Sequence, residues 1–325
     1  MKYGWKRQLP DFRDYKYKAS AYTLKALPPM VDLRDKCPPV VNQGSLGSCT
    51  ANAIGSDHHF EQLVQGFEGA FAPSRLFIYY NERDMEGTVN EDSGAYIRDG
   101  LKCVANQGVC AETMWPYDTS KFRAKPSQEC YDVAVKHQAT SYHAVTQTLN
   151  EMKGCLSEGF PFVFGFSVYD SFETDVVKNT GVMPMPGPNE SLLGGHAVMA
   201  VGYDDARQVF IVRNSWGEGW GDKGYFYMPY AYIADANMAS DFWTIRLVED
   251  EDGNQPQPPQ PQPQPEPDPK WPCDWAFSAT KAFVDGAVGH ANKVSSVTTN
   301  GMIEAGLRGL QQHLGRVEAA RNRRK

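Results

Sequence analysis

At 325 residues, with 41% hydrophobic content, the chain is too long for one small domain and can bury a sizeable core. A formal net charge of −7 argues against general binding of nucleic acid or an anionic membrane by the main body. Seven cysteines are an odd number, so at least one thiol stands outside any intramolecular bridge.

Residues 1–26 are charged and polar without an apolar core, so no secretory signal is visible. No apolar stretch approaches the ~18 residues needed to span a membrane. A cytoplasmic location, or export by a signal-independent route, is expected. Trp5, Leu9, Phe12 and Tyr15 stand among charges here, enough apolar surface to dock but not to fold alone. Tyr15-Lys16-Tyr17-Lys18 alternates like an exposed strand.

The run Gln43-Gly44-Ser45-Leu46-Gly47-Ser48-Cys49 leads into Thr50-Ala51-Asn52-Ala53-Ile54, a helix beginning at or beside the cysteine. A thiol at a helix N-terminus sees the positive end of the dipole and unpaired N–H groups, both favouring thiolate. The Gly-rich turn can fold the Gln43 amide back toward the sulfur, where it would join the Cys49 N–H in an oxyanion hole. His58 and His59 lie roughly 14 Å along the same helix at about 1.5 Å per residue, too far to act as base. Cys103 and Cys110 are too widely spaced for the usual zinc pair and have no matching Cys/His pair after them, so neither a metal nor a cofactor is expected.

Phe160 to Tyr169 reads as a buried strand. His196 stands at a strand entry, in Gly194-Gly195-His196-Ala197-Val198-Met199, where it can face an open cleft while the strand anchors it. Phe210-Ile211-Val212-Arg213-Asn214 is an apolar strand delivering an amide into a Ser215-Trp216-Gly217 turn. The Asn214 oxygen can accept from one imidazole nitrogen, fixing the tautomer and leaving the other nitrogen for sulfur. Trp216 would shield that bond from water.

The tail changes character. Eight of the sixteen residues 254–269 are Pro, which favours a semi-rigid polyproline II spacer across residues 251–271. Residues 272–325 carry eight Lys/Arg against four Asp/Glu, and Met302, Ile303, Leu307, Leu310, Leu314 and Val317 recur at helical spacing. A basic amphipathic tail that binds a partner is expected. Cys273-Asp274-Trp275 echoes the Cys49 segment but lacks the preceding Gln-Gly turn, and is not read as a second site.

Taken together, Gln43…Cys49, Gly195-His196-Ala197 and Asn214-Ser215-Trp216-Gly217 resemble the papain-type cysteine peptidases, in particular short-prosegment, disulfide-poor bacterial members. The resemblance implies an α+β fold of two lobes, one helical and one strand-rich and barrel-like, spanning residues 27–250 with the active-site cleft between them. It implies Cys49 as nucleophile, His196 as base and then acid, Asn214 as orienter and Gln43 as oxyanion donor. Substrate contacts are expected at Gly47, Gly94, Gly195 and Trp216. The second pocket from the cleaved bond should have Ser240 or Asp241 at its floor. Residues 1–26 become a short prosegment, expected to lie along or across the cleft as an intramolecular restraint. The family's cysteine three residues before the nucleophile is Leu46 here, and Glu91 and Asp92 occupy the region of its partner; the fold there is expected to rest on packing, in a reducing compartment. The expected activity is endopeptidase action on protein or peptide substrates by a monomer. The rival readings are a Cys-His-Asn transamidase or other acyltransferase and a non-catalytic module of the same fold.

Overall fold

A computed structural model describes residues 2–249; the expectations for the spacer, the tail and Cys273 lie outside the described residues. In chain order the helices and strands begin with α1 (Ala21–Lys25), β1 (Met30–Asp32), α2 (Cys49–Val64), α3 (Arg75–Met85), α4 (Ile97–Asn106) and α5 (Gln128–Ala134). They continue with β2 (Ala139–Ala144), α6 (Leu149–Ser157), β3 (Phe162–Tyr169), α7 (Asp175–Thr180) and β4 (Leu192–Asp204). The last are β5 (Val209–Arg213), β6 (Tyr225–Pro229), α8 (Tyr230–Ala234) and β7 (Ala239–Val248). Among the described residues, no helix is long and apolar enough to cross a membrane.

The helical lobe gathers α2, α3 and α4 around Ile54, Leu76, Ile78, Tyr79, Ile97 and Leu101. Helix α3 starts where it does because Ser74 Oγ accepts the Phe77 N–H, satisfying one of the orphan donors of the first turn. The strand lobe is an antiparallel sheet in the order β2-β7-β3-β4-β5-β6, with β1 paired to the end of β4. Strand β3 shows why the lobes are separate cores yet one body. Successive side chains point to opposite faces, so Phe162, Phe164 and Phe166 enter the aromatic core of the strand lobe, while Val163 packs in the cluster built around α2.

Two local expectations change. Tyr17 is buried rather than exposed, because its backbone N–H pairs with the Ala144 carbonyl at the end of β2 and its ring joins the strand-lobe core. Where a disulfide is missing, the structure relies on more than packing. Leu46 is buried, but the Asp92 carboxylate also accepts the Gly47 N–H at 3.0 Å and the Tyr79 hydroxyl at 2.6 Å. A hydrogen-bonded carboxylate thus ties the turn before α2 to the loop after α3.

Candidate active site

Helix α2 places Cys49 at its first position, so the thiol lies among the unpaired N–H groups of that turn. Gln43 is fully buried: its Nε2 donates to the Leu46 carbonyl at 2.9 Å, and its Oε1 accepts the Ser215 hydroxyl at 2.6 Å. The second bond crosses from the helical lobe to the turn that carries Asn214, so the donor is fixed from both sides. Across the cleft, His196 sits on β4 and Asn214 follows β5. Imidazole Nε2 donates to Asn214 Oδ1 at 2.8 Å, and that oxygen also accepts the Ser215 N–H at 2.8 Å. Both bonds require the oxygen in this position, so the network settles the amide orientation and the imidazole tautomer. His196 Nδ1 is buried with no hydrogen-bond partner, a bare lone pair available to a proton. Trp216 stacks on the ring at 5.0 Å between centroids and 27° between planes, covering the His–Asn bond.

The cleft is occupied by the chain's own N-terminus. Gly4, whose backbone reaches the Cys49 thiol, packs so closely that a Cβ on its neighbour Gly94, or on Gly4 itself, would overlap backbone: Gly4 in the first case, the Gly47 carbonyl in the second. Trp5 donates its N–H to the Gly195 carbonyl at 3.0 Å, and Ala95 pairs on both sides, donating to Gly4 O at 2.8 Å and accepting from Lys6 N at 3.0 Å. The backbone contact expected at Gly94 therefore falls on Ala95; Gly94, with a left-handed φ of 69°, supplies the space. The Trp5 indole fills a slot where a Cβ at Gly165 or Gly195 would overlap it, and its Nε1 donates to Asp241 Oδ2 at 2.9 Å. Asp241 also accepts the Gln8 N–H at 3.0 Å; its own φ of 63° turns β7 at this point, where the register with β3 shifts. Ser240 pairs with Gly165 in the wall of the same slot. On the other side of Gly4, Tyr3 lies 6.2 Å from the His196 ring and hydrogen-bonds Glu173, and the Lys2 carbonyl stands 3.3 Å from Gln43 Nε2.

This segment is bound but is not presented for cleavage. The carbonyl of Gly4, the residue against the thiol, is engaged by Ala95 N–H, while the carbonyl near Gln43 belongs to Lys2. Burial also shifts the ionisation of the pair. Burial pushes the Cys49 thiol up to about 11, against the opposing pull of backbone N–H groups of Ala197, Gly4 and Thr50. Burial likewise lowers His196 to about 4 despite the Asn214 bond. The thiolate expected from the helix terminus is thus not the form held under the segment; both groups are neutral there, because desolvation outweighs the dipole.

Sequence reasoning brought Gln43, Cys49, His196, Asn214, Gly47, Gly94, Gly195, Trp216, Ser240 and Asp241 to one region, and the structure gathers all of them along this cleft. It did not single out Ala95, Gly165, Glu86 or Glu173. Ala95 directly follows Gly94 in the stretch that resembles the family's Gly-Gly segment, whereas Gly165, Glu86 and Glu173 stand in no motif and are revealed by the seated segment.

A thiol at a helix start facing a histidine-asparagine pair on a sheet defines the cysteine protease class. The chain belongs to the papain family of cysteine proteases, matching the description "Papain family cysteine protease" over residues 27–244. An uncharacterised peptidase C1-like protein of Acanthamoeba polyphaga mimivirus is 48% identical over 218 residues, covering 65% of this chain and 70% of the relative. The thiol protease aleurain of Arabidopsis thaliana is 30% identical over 227 residues, 63% of this chain and 57% of the relative. The crystal structure of xylellain, a cysteine protease from Xylella fastidiosa, superposes with a TM-score of 0.70 at 45% identity, covering 76% of this chain and 96% of that one.

Proposed function

We propose that the protein is a cysteine endopeptidase that residues 2–8 of its own chain hold closed. The observation that carries the chemistry is the His196–Asn214 bond at 2.8 Å, which leaves His196 Nδ1 unpartnered on the Cys49 side of the cleft. With the segment gone and water readmitted, the proton of Cys49 passes to Nδ1. The thiolate attacks the scissile carbonyl carbon, and the oxyanion is held by Gln43 Nε2 and the Cys49 N–H. The imidazolium then gives its proton to the leaving amine. A water, deprotonated by the same nitrogen, releases the acyl group and restores the thiol.

Endopeptidase action is supported by how the segment lies. It extends on both sides of the nucleophile, with Lys2 and Tyr3 on the leaving-group side and Trp5 and Lys6 on the acyl side, so the cleft accepts chain in both directions. An aromatic side chain in the slot of Trp5, over Asp241, is the preferred second residue.

Labelling with an epoxide-type thiol inhibitor and assay on internally quenched peptides test the reading. Mass should be added at Cys49, and Cys49→Ala should abolish turnover with the fold retained. Gln43→Ala should reduce kcat by ~10²–10³ with little change in KM. Cleavage by Cys49→Ala at the wild-type rate would overturn it, and aminolysis outrunning hydrolysis when an amine is added would point to a transamidase.

A further inference from the structure

Residues 2–6 lie extended, and their side chains divide between the two walls of the cleft as strand geometry requires. Tyr3 and Trp5 face the strand lobe, whereas Lys2 and Lys6 face the helical lobe. The helical wall meets them with two carboxylates that the protein itself holds in place. Glu86 accepts the Tyr96 N–H at 2.8 Å on one oxygen and offers the other to Lys6 Nζ at 2.7 Å. Asp92, fixed by Gly47 and Tyr79, lies 2.5 Å from Lys2 Nζ. With the segment seated, the two acidic side chains are only 7% and 13% exposed, so they are partly buried anions that lose their lysine partners once it leaves, Asp92 keeping only the weaker field of Arg83. A carboxylate pinned by neutral donors with one oxygen aimed along the cleft is a cation receptor that needs no reorganisation. Across the cleft the Trp5 indole N–H and the Tyr3 hydroxyl also end on carboxylates, Asp241 and Glu173, which adds to the negative potential of the groove.

We infer that the cleft selects cationic peptides, and that Glu86 is the residue that recognises Lys or Arg at the third position from the cleaved bond on the acyl side. This rests on the peptidase reading above. Gly4 marks the first position, Trp5 fills the second pocket, and Lys6 occupies the third. The segment's lysines hold the places that a basic substrate takes when the cleft opens, and an acidic residue at the third position meets repulsion from Glu86 and from the field of the other three acids.

The test uses the full chain and internally quenched peptides that are identical except for Lys, Gln or Glu at the third position. The readout is the ratio of kcat/KM values, which cancels the fraction of time the cleft is open, because all the peptides compete with the same segment. Lys should exceed Glu by about tenfold at low salt, shrinking to about threefold near 0.5 M NaCl as screening shortens the reach of the field. Glu86→Gln should bring the ratio within about twofold, whereas Glu173→Gln, on the opposite wall, should leave most of it. Equal rates for Lys and Glu in the wild type, or a Lys preference unchanged in Glu86→Gln, overturn the inference while the peptidase reading stands. Absence of hydrolysis for every peptide overturns that reading, and this inference with it.

Discussion

Residues 2–8 and residues 9–16 belong to one continuous segment but meet the protein in different ways. The first stretch forms backbone pairs with both lobes and sets Tyr3, Trp5, Lys2 and Lys6 on specific acceptors. The second is the more apolar in its large side chains, yet Leu9, Phe12 and Tyr15 are 84%, 96% and 80% exposed. It arches over a cavity of ≈740 Å³ whose inner wall includes Gln147, Phe242 and Trp243. Arg98 holds its middle, donating to the Leu9 carbonyl at 3.1 Å and pairing with Asp14 at 2.5 Å, and at its end the Ala144 N–H donates to the Tyr15 carbonyl at 2.8 Å. Docking here follows backbone complementarity and placed polar partners. Hydrophobicity alone does not select the site, since a scattered apolar residue gains little without a matching recess.

The comparison breaks most sharply at Gly4. A side chain there has no room beside the Gly47 carbonyl, so Gly4→Val should expel residues 2–8 and raise initial peptidase activity by about a hundredfold, the order expected when a tethered segment at millimolar effective concentration is lost. Progress curves on a quenched peptide at matched active-site concentration measure it. Activity equal to wild type would mean that the segment leaves the cleft freely in solution. Trp5→Ala keeps the backbone pairs but empties the slot over Asp241; about a tenfold rise is expected, from the lost burial of one indole and its hydrogen bond. A Trp5→Ala effect as large as that of Gly4→Val would shift the weight from backbone to side chain.

Much of this site could be read from residue order, and the unread part has a physical cause. Cys49 at a helix start, His196 at a strand entry and Asn214 before a Trp-Gly turn each stand in a telling local sequence, so the roles proposed for them rest on neighbours a few residues away. Glu86 and Glu173 do not, because a carboxylate's partner lies 80 or 170 residues distant and only the fold brings it close. The ionisation of Cys49 under the segment differs from the local expectation for a related reason. The helix dipole at Cys49 is a local property, but the burial that opposes it depends on how distant parts of the chain pack around the thiol, even though the Gly4 backbone contact itself pulls the thiol down. The same holds inside α2, where Asp57 and Glu61, one turn apart, are both fully buried by distant parts of the chain.

That difference between the covered and uncovered cleft can be sharpened with pH. Under the segment the thiol stands near 11, so iodoacetamide labelling of Cys49 in the wild type should be slow at neutral pH and accelerate only as pH climbs toward that value. In Gly4→Val, with water readmitted, labelling should already be fast near pH 7. A wild-type profile identical to that of Gly4→Val would contradict closure.

Stability has its own pH signature in the helical lobe. Burial pushes the Glu61 carboxyl up to about 8 and raises Asp57 well above the usual carboxylate range. A raised carboxyl favours the protonated folded state. Its contribution is complete below the ordinary value of about 4.5 and is lost as pH climbs through about 8. The melting temperature should fall over that window, and Glu61→Gln should flatten the fall while keeping the hydrogen bond to Gln65 available. A wild-type melting temperature constant between pH 5 and pH 8 would show that the carboxyl ionises without cost.

The smallest effect is expected where the comparison began, in residues 9–16. Phe12→Ser and Leu9→Ser remove side chains that are almost wholly in water, so each should change stability by no more than about 0.5 kcal/mol and initial activity by less than about twofold. Arg98→Ala is the control on the same stretch: it removes the ion pair with Asp14 and the bonds to Leu9, and should loosen residues 9–16 while residues 2–8 keep their own anchors. Limited proteolysis should then cut near Leu9 to Asp14 faster than in the wild type, with peptidase activity rising far less than in Gly4→Val. If Phe12→Ser instead opened the cleft as much as Trp5→Ala does, the exposed ring would have to be seated in solution, and the division of labour between the two stretches would be wrong.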